Sequence, residues 1–149
     1  MKIISALACV LFLAGSLMVA PLGAQQGFTR AFDGKVQILQ SNSGGDNIHI
    51  IDPATNTVVG EIDDVPLPHG VTYHPDGSTY FISNEFDHTL DVVSTKTLKV
   101  IKQIPLADGP NNIGITPDGE KVYVAIARGS GGVDVIDTTT QTNVRHIPT

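Results

Sequence analysis

Ile51-Asp52-Pro53-Ala54-Thr55 is written again as Val93-Ser94-Thr95-Lys96-Thr97 and a third time as Ile136-Asp137-Thr138-Thr139-Thr140, 42 and then 43 residues further along. His74-Pro75-Asp76-Gly77 likewise returns as Thr116-Pro117-Asp118-Gly119 after 42 residues. Between these phrases, apolar and polar residues alternate over short runs broken by turn residues, the pattern of half-buried strands. A self-similar period of about 40 to 45 residues filled with such strands belongs to a radial array of small sheets, the β-propeller.

Each repeat parses into four antiparallel strands. In the second repeat the alternation predicts strands over residues 70–74, 79–83, 89–93 and 99–104. Proline presets φ in the Pro75-Asp76-Gly77 turn, aspartate caps it, and glycine takes the positive φ that closes the hairpin. The third repeat predicts strands over 112–115, 122–126, 133–136 and 143–147. Its one extra residue falls in Arg128-Gly129-Ser130-Gly131-Gly132, a loop that absorbs an insertion at little cost. The first repeat is partial: Ile38-Leu39-Gln40-Ser41-Asn42 matches Tyr80-Phe81-Ile82-Ser83-Asn84 as a second strand, and residues 28–33 are too short for a first strand and its turn. The expected organisation is a partial blade over 34–67 and whole blades over 68–109 and 110–149, an all-β arc of two blades and three quarters.

Tyr80-Phe81-Ile82-Ser83-Asn84 and Val122-Tyr123-Val124-Ala125-Ile126, with their Pro-Asp-Gly turns and the Val-Ile-Asp-Thr strand ending, resemble the YVTN β-propeller repeats of exported bacterial proteins. The resemblance covers residues 34–149 and implies fold more than activity, since such propellers include lactonases, haem and quinone enzymes, surface-layer proteins and plain binding modules. Ala125-Ile126 departs from the Thr-Asn of the motif. The strand survives that change, while a role for that asparagine is weakened.

Residues 1–24 read as a signal peptide. Lys2 supplies the positive end, residues 3–19 carry no charge, and Gly23-Ala24 before Gln25 offers a cleavage site. An uncleaved anchor is the competing reading, because the apolar run approaches the roughly 20 residues of a spanning helix. Gly15, Ser16 and Pro21 favour cleavage, which predicts a periplasmic or extracellular product with no stable membrane insertion. Residues 25–33 form a short lead segment. Cys9 is the only cysteine, so the exported chain has no disulfide, no thiolate metal site and no Cys-x-x-Cys-His haem attachment. Loss of Lys2 leaves eight basic against fifteen acidic residues, a net charge of −7, scattered along the chain. That balance argues against nucleic acid as a partner.

A ring takes about four or more blades. The repeats therefore predict the N-terminal part of a longer propeller, with a short chain that closes its ring by oligomerising as the alternative. Bare blade faces would self-associate if this arc were expressed alone.

Self-alignment sorts the five histidines. His49 aligns with Asp91 and Asp134, and this polar position of a third strand is expected to be solvated. His146 aligns with Gln103 and Glu61 on the outermost strand, another exposed site. His74 precedes a Pro-Asp-Gly turn, and His88 lies in the turn Glu85-Phe86-Asp87-His88, read as solvated and lacking the spacing of a calcium loop. His69 and His74 are five apart along a strand and cannot chelate together. His69 stands apart, because Pro68-His69-Gly70 aligns with Pro110-Asn111-Asn112 directly before each innermost strand, where a ring opens on its central channel. His69, Asn111 and Asn112 are the candidate ligand-binding set.

No metal site or catalytic set is assigned. Gly-x-Ser-x-Gly, Walker and dinucleotide motifs are absent, and the lack of tryptophan argues against a quinone cofactor stacked on indole. A noncovalent haem or a divalent metal is compatible with a complete ring. The favoured reading is an exported binding or scaffold module for a protein or small-molecule ligand, with enzymatic activity of this chain alone disfavoured. The alternative is part of a periplasmic propeller enzyme resembling the nitrite reductase haem domain or a lactonase, with its site at the channel mouth.

Overall fold

The computed structural model describes residues 36–149. The expected leader over 1–24 and lead segment over 25–33 lie outside the described residues. Eleven strands follow one another: β1 (Ile38–Ser41), β2 (Ile48–Asp52), β3 (Thr57–Ile62), β4 (Pro68–Tyr73), β5 (Thr79–Asn84), β6 (Thr89–Ser94), β7 (Val100–Pro105), β8 (Pro110–Ile115), β9 (Lys121–Ile126), β10 (Gly132–Asp137) and β11 (Thr142–Ile147). They form three antiparallel meanders, β1-β2-β3, β4-β5-β6-β7 and β8-β9-β10-β11. The described residues contain no helix. This is the expected all-β propeller arc, with one three-stranded and two four-stranded blades.

The repeat is visible in the irregularities as well as in the strands. Third and fourth strands pair with a bulge at Ile50/Ile51, at Val92/Val93 and at Val135/Ile136, three equivalent places. The turn that follows uses a left-handed residue each time: Asn56, Leu98 and Gln141 have φ of 53°, 54° and 51°. Leucine is an uncommon occupant of that region. Leu98 is held there by its amide, which donates to the Ser94 carbonyl at 2.8 Å, and by its side chain, which is buried in the core. In the Pro-Asp-Gly turns, Gly77 and Gly119 have φ of 75° and 80°, and each donates its amide at 2.8 Å to the residue three before it.

The core is divided into two seams, each made by two neighbouring sheets. Ile48, Ile50 and Ile62 of the first blade meet Tyr80, Ile82, Val93 and Leu98 of the second. Phe81, Leu90, Val92 and Ile104, on the opposite face of the second blade, meet Val122, Val124, Ile126 and Ile136 of the third. Alternation along β5 thus sends Tyr80 and Ile82 to one seam and Phe81 to the other. A sheet apolar on both faces is what a blade inside a ring requires.

Two expectations change. The third-strand position of Asp91 and Asp134 is not solvated, since both residues are fully buried. Each lies across the register from a fourth-strand partner, Asp91 from Gln103 and Asp134 from His146, as His49 lies from Glu61. The second and third blades have a neighbour over this face and the first does not, so only His49 keeps the expected exposure. Asp134 accepts from the His146 ring at 2.7 Å and from the Ala107 amide at 2.7 Å, so His146 pairs with a buried carboxylate rather than standing free. Burial pushes the Asp91 carboxyl up, against the lowering pull of hydrogen bonds from Thr89, Asn84 and Gln103. The second change is that both inner strands begin two residues earlier than the alternation predicts. Pro68 pairs with Asn84 and Pro110 with Ile126, each followed by a bulge before the ladder resumes at Val71 and Ile113.

Candidate functional site

The earlier strand start places His69 and Asn111 inside the inner-strand bulges of β4 and β8, not in an approach loop. A bulge leaves residues out of the ladder and re-aims their groups. Two repeated hydrogen bonds anchor the positions: the Ser41 hydroxyl donates to the His69 carbonyl at 2.7 Å, and the Ser83 hydroxyl to the Asn111 carbonyl at 2.5 Å. Each joins the second strand of one blade to the inner strand of the next. Ser83, itself fully buried, also accepts the Gly70 amide at 2.7 Å.

Gly70 permits the close approach of β4 and β8. A Cβ there would lie 2.8 Å from the Ile113 nitrogen and 2.9 Å from the Asn111 carbonyl. The backbones of His69-Gly70 and Asn111-Asn112 are therefore in direct contact. Asn111 is half-buried and Asn112 exposed, and among the described residues neither amide side chain has a hydrogen bond.

The partner of His69 comes from elsewhere. Its Nε2 meets Glu85 Oε2, and the other carboxylate oxygen receives Arg128 Nε at 2.8 Å and Nη2 at 2.7 Å. Glu85 follows β5 and Arg128 follows β9, so the row crosses the seam between the second and third blades. The Glu85 side chain is 17% exposed and that of Arg128 65% exposed. Gly109 leaves room for the arginine stem, since a Cβ there would fall 2.6 Å from Arg128 Cγ.

This row fixes the chemistry of the imidazole. Hydrogen bonds from Arg128 first, then from His69, hold the Glu85 carboxyl below the usual carboxylate range, so it is ionised at neutral pH and can only accept. His69 Nε2 must donate to it. Nδ1 has no hydrogen bond among the described residues, and in the neutral ring it carries the lone pair. The site can accept a proton or a ligand N–H or O–H through Nδ1, and can present the outer guanidinium edge and two amides beside it. A divalent ion fits poorly, because Arg128 neutralises the neighbouring carboxylate and no group of three or more His, Cys, Asp or Glu among the described residues could hold one.

Sequence reasoning singled out His69, Asn111 and Asn112 but missed Glu85 and Arg128. The turn of Glu85 was read as solvated, which holds for Phe86, 68% exposed, and not for Glu85, and the loop of Arg128 was read only as the place that absorbs an insertion. Self-alignment could not find the pair, since Glu85 and Arg128 are not equivalent positions. The other histidines take no part in this row, although His88 shares the turn of Glu85 and its Nδ1 lies 3.7 Å from Asp108 Oδ1. His74 lies at the opposite end of β4, with its ring 2.8 Å from Asp76. His88 is in a left-handed conformation, and its carbonyl accepts the Leu106 amide at 2.9 Å.

No family model matches the chain. Antigen Lp49 of Leptospira interrogans is 31% identical over 144 residues, covering 81% of this chain and 31% of that protein. Hydrazine synthase of Kuenenia stuttgartiensis matches in both comparisons. Its beta subunit is 38% identical over 53 residues, 36% of this chain and 14% of the subunit. The solved structure superimposes with a TM-score of 0.72 at 30% identity, covering 93% of this chain and 39% of the other. Dihydro-haem d1 dehydrogenase NirN, at 19% identity and a TM-score of 0.61 over 76% of this chain and 24% of the other, shares the fold. The chain spans about a third of the length of Lp49 and well under half of the hydrazine synthase chain it superimposes on. Its architecture is that of a β-propeller repeat protein.

Proposed function

We propose that this chain is an exported propeller module of the YVTN type that binds a ligand at the channel mouth, with His69, Glu85 and Arg128 as the polar centre and Asn111 and Asn112 lining it. The observation that carries the reading is the Arg128–Glu85–His69 row. A surface histidine has no need of a carboxylate that is itself clamped by an arginine across a blade seam, whereas a histidine that must offer Nδ1 in one tautomer does. Export is supported by the leader-like residues 1–24, and the YVTN assignment by the two degenerate motif copies on β5 and β9.

A fragment screen by thermal shift and ligand-observed NMR tests the binding role. Compounds that bind the wild-type protein should lose binding in His69→Ala and Arg128→Ala and keep it in His74→Ala, altered at the other end of β4. Equal binding to wild type and His69→Ala would reject the site. The same row favours a second reading, in which His69 Nδ1 faces the iron of a noncovalent haem in a propeller enzyme, since a metal-bound imidazole commonly donates its other N–H to a carboxylate. That reading predicts a Soret band in protein purified from its native host, lost in His69→Ala. The binding reading predicts a colourless protein.

A further inference from the structure

Asn84 ends the motif copy on β5 and stands directly before Glu85. It is fully buried. One hydrogen of its Nδ2 goes to Asp91 Oδ2 on β6 at 3.0 Å, and the other to Asp87 Oδ2 at 3.0 Å. Its Oδ1 accepts the Asp87 amide at 3.0 Å, so this one side chain ties together both ends of the turn Asn84-Glu85-Phe86-Asp87. A flipped amide would lay Oδ1 against two carboxylates and give up the Asp87 amide, so the acceptors decide which way it points. Asp91 is the inner anchor. It is fully buried, and its Oδ1 receives the Thr89 hydroxyl at 2.5 Å and Gln103 Nε2 at 3.2 Å. A buried acid is costly, and the other blades use its position differently. In the third blade Asp134 accepts the Ala107 amide and the His146 ring, while Ile126 and Ala127 replace Asn84 and Glu85. In the first blade His49 takes its place, Asn42 donates to Asn47 at 2.7 Å, and Ser43 stands where Glu85 does. Among the described residues, the acid–asparagine bridge occurs on the blade that carries the site's carboxylate.

We propose that Asp91, acting through Asn84, is a positioning residue for the channel-mouth site, fixing the turn that aims Glu85 at His69 and Arg128. This rests on the reading of the Arg128–Glu85–His69 row as a polar centre. The main chain of Glu85 has one anchor of its own, an amide donated to the Leu67 carbonyl at 3.2 Å. The Asn84 side chain supplies the rest of the hold on the turn.

Carbon-13 NMR of the Glu85 carboxyl and nitrogen-15 NMR of the His69 ring test this on the whole chain. In the wild type, Glu85 titrates below the usual carboxylate range, and the two His69 nitrogens give separate signals, one protonated and one bare. In Asp91→Ala, with far-UV circular dichroism showing the β fold intact, Glu85 should move up toward its ordinary value. The two His69 signals should draw together as the tautomers mix. Asn84→Ala should do the same, and the double variant should go no further than Asn84→Ala alone, because Asp91 acts through Asn84. Thr95→Ala removes hydrogen bonds to the Gly77 and Ser78 carbonyls at the other end of the same blade. It should lose stability and leave both sets of signals in place. Wild-type signals in a folded Asp91→Ala, additive shifts in the double variant, or the same shifts in Thr95→Ala would overturn the proposal. Should Asp91→Ala not fold, wild-type signals in Asn84→Ala overturn it. The readout needs no ligand, so it fails separately from the fragment screen, which tests the binding reading itself.

Discussion

Replacing Ser83 by alanine removes one oxygen that serves three main-chain groups, the weakest contact being to the Gly70 carbonyl at 3.3 Å. The hydroxyl is fully buried, receives the Gly70 amide at 2.7 Å and donates to the Asn111 carbonyl at 2.5 Å. A hydrogen bond contributes about 0.5–1.5 kcal/mol net, and a buried group left unsatisfied costs about 1–3 kcal/mol. Gly70 lies in a bulge pressed against β8, where a replacement water has little room. The expected loss for Ser83→Ala is therefore about 2–4 kcal/mol. Ser41→Ala, which removes a single hydrogen bond at a half-buried position, should cost about 1 kcal/mol. Ser83→Thr keeps the hydroxyl but adds a methyl at a fully buried position, which should cost about 1–3 kcal/mol by overpacking. Urea unfolding followed by far-UV circular dichroism at one fixed protein concentration measures all three, the concentration held because association shifts apparent stability. A loss below about 0.5 kcal/mol for Ser83→Ala would show that the inter-blade hydrogen bond is not what fixes the inner strand.

Gly70→Ala should destabilise by about 1–3 kcal/mol, since its Cβ would stand 2.8–2.9 Å from backbone atoms of β8 that cannot swing aside; the same urea titration reads it. Asp137, bonded first by Lys121 at 2.6 Å and then by the Thr140 amide, is held down at about 2. Its folded value lies below its ordinary 3.8, so the stability it contributes is full above that ordinary value and disappears as the pH falls through about 2. Carbon-13 NMR should show the Asp137 carboxyl titrating near 2, and moving toward its ordinary value in Lys121→Ala. Arg128→Ala removes the largest cause of the lowered Glu85 carboxyl. The Glu85 titration should then move up in the same experiment, while that of Asp137 stays in place.

The fold was legible because a propeller repeats its physics. Each Pro-Asp-Gly phrase demands the same turn, and each strand must present apolar residues to whichever neighbour lies beside it. One feature misled. A polar residue alternating with apolar ones normally faces water, and Asp91 and Asp134 were read that way. In an inner blade both faces are covered, so alternation sorts side chains between two seams rather than between core and solvent. Asp91 is buried with Thr89, Asn84 and Gln103 around it; Thr89 shares its strand, but Asn84 and Gln103 reach it from the neighbouring strands β5 and β7. The inner-strand starts were misplaced for a related reason. Pro68 and Pro110 break the apolar alternation, yet each pairs across the bulge with the far end of the second strand.

The site was half legible for a reason that follows from the same symmetry. Comparing a repeat with itself finds positions where one copy carries a residue the others lack, and it found His69 against Asn111. It is blind to a row built from non-equivalent positions on different blades, and Glu85 and Arg128 are such a pair. Arg128 reaches Glu85 across the seam with its stem over Gly109, which has no side chain in the way. The structural repeat makes every seam alike, and the departures from it concentrate where chemistry differs. Arg128 reaches over one seam to hold the carboxylate that pairs with His69, and Ala125 stands at the position where Ser41 and Ser83 make their inter-blade bonds. In a repeat protein the scaffold is read from what recurs, and the places to alter by mutation are read from what does not.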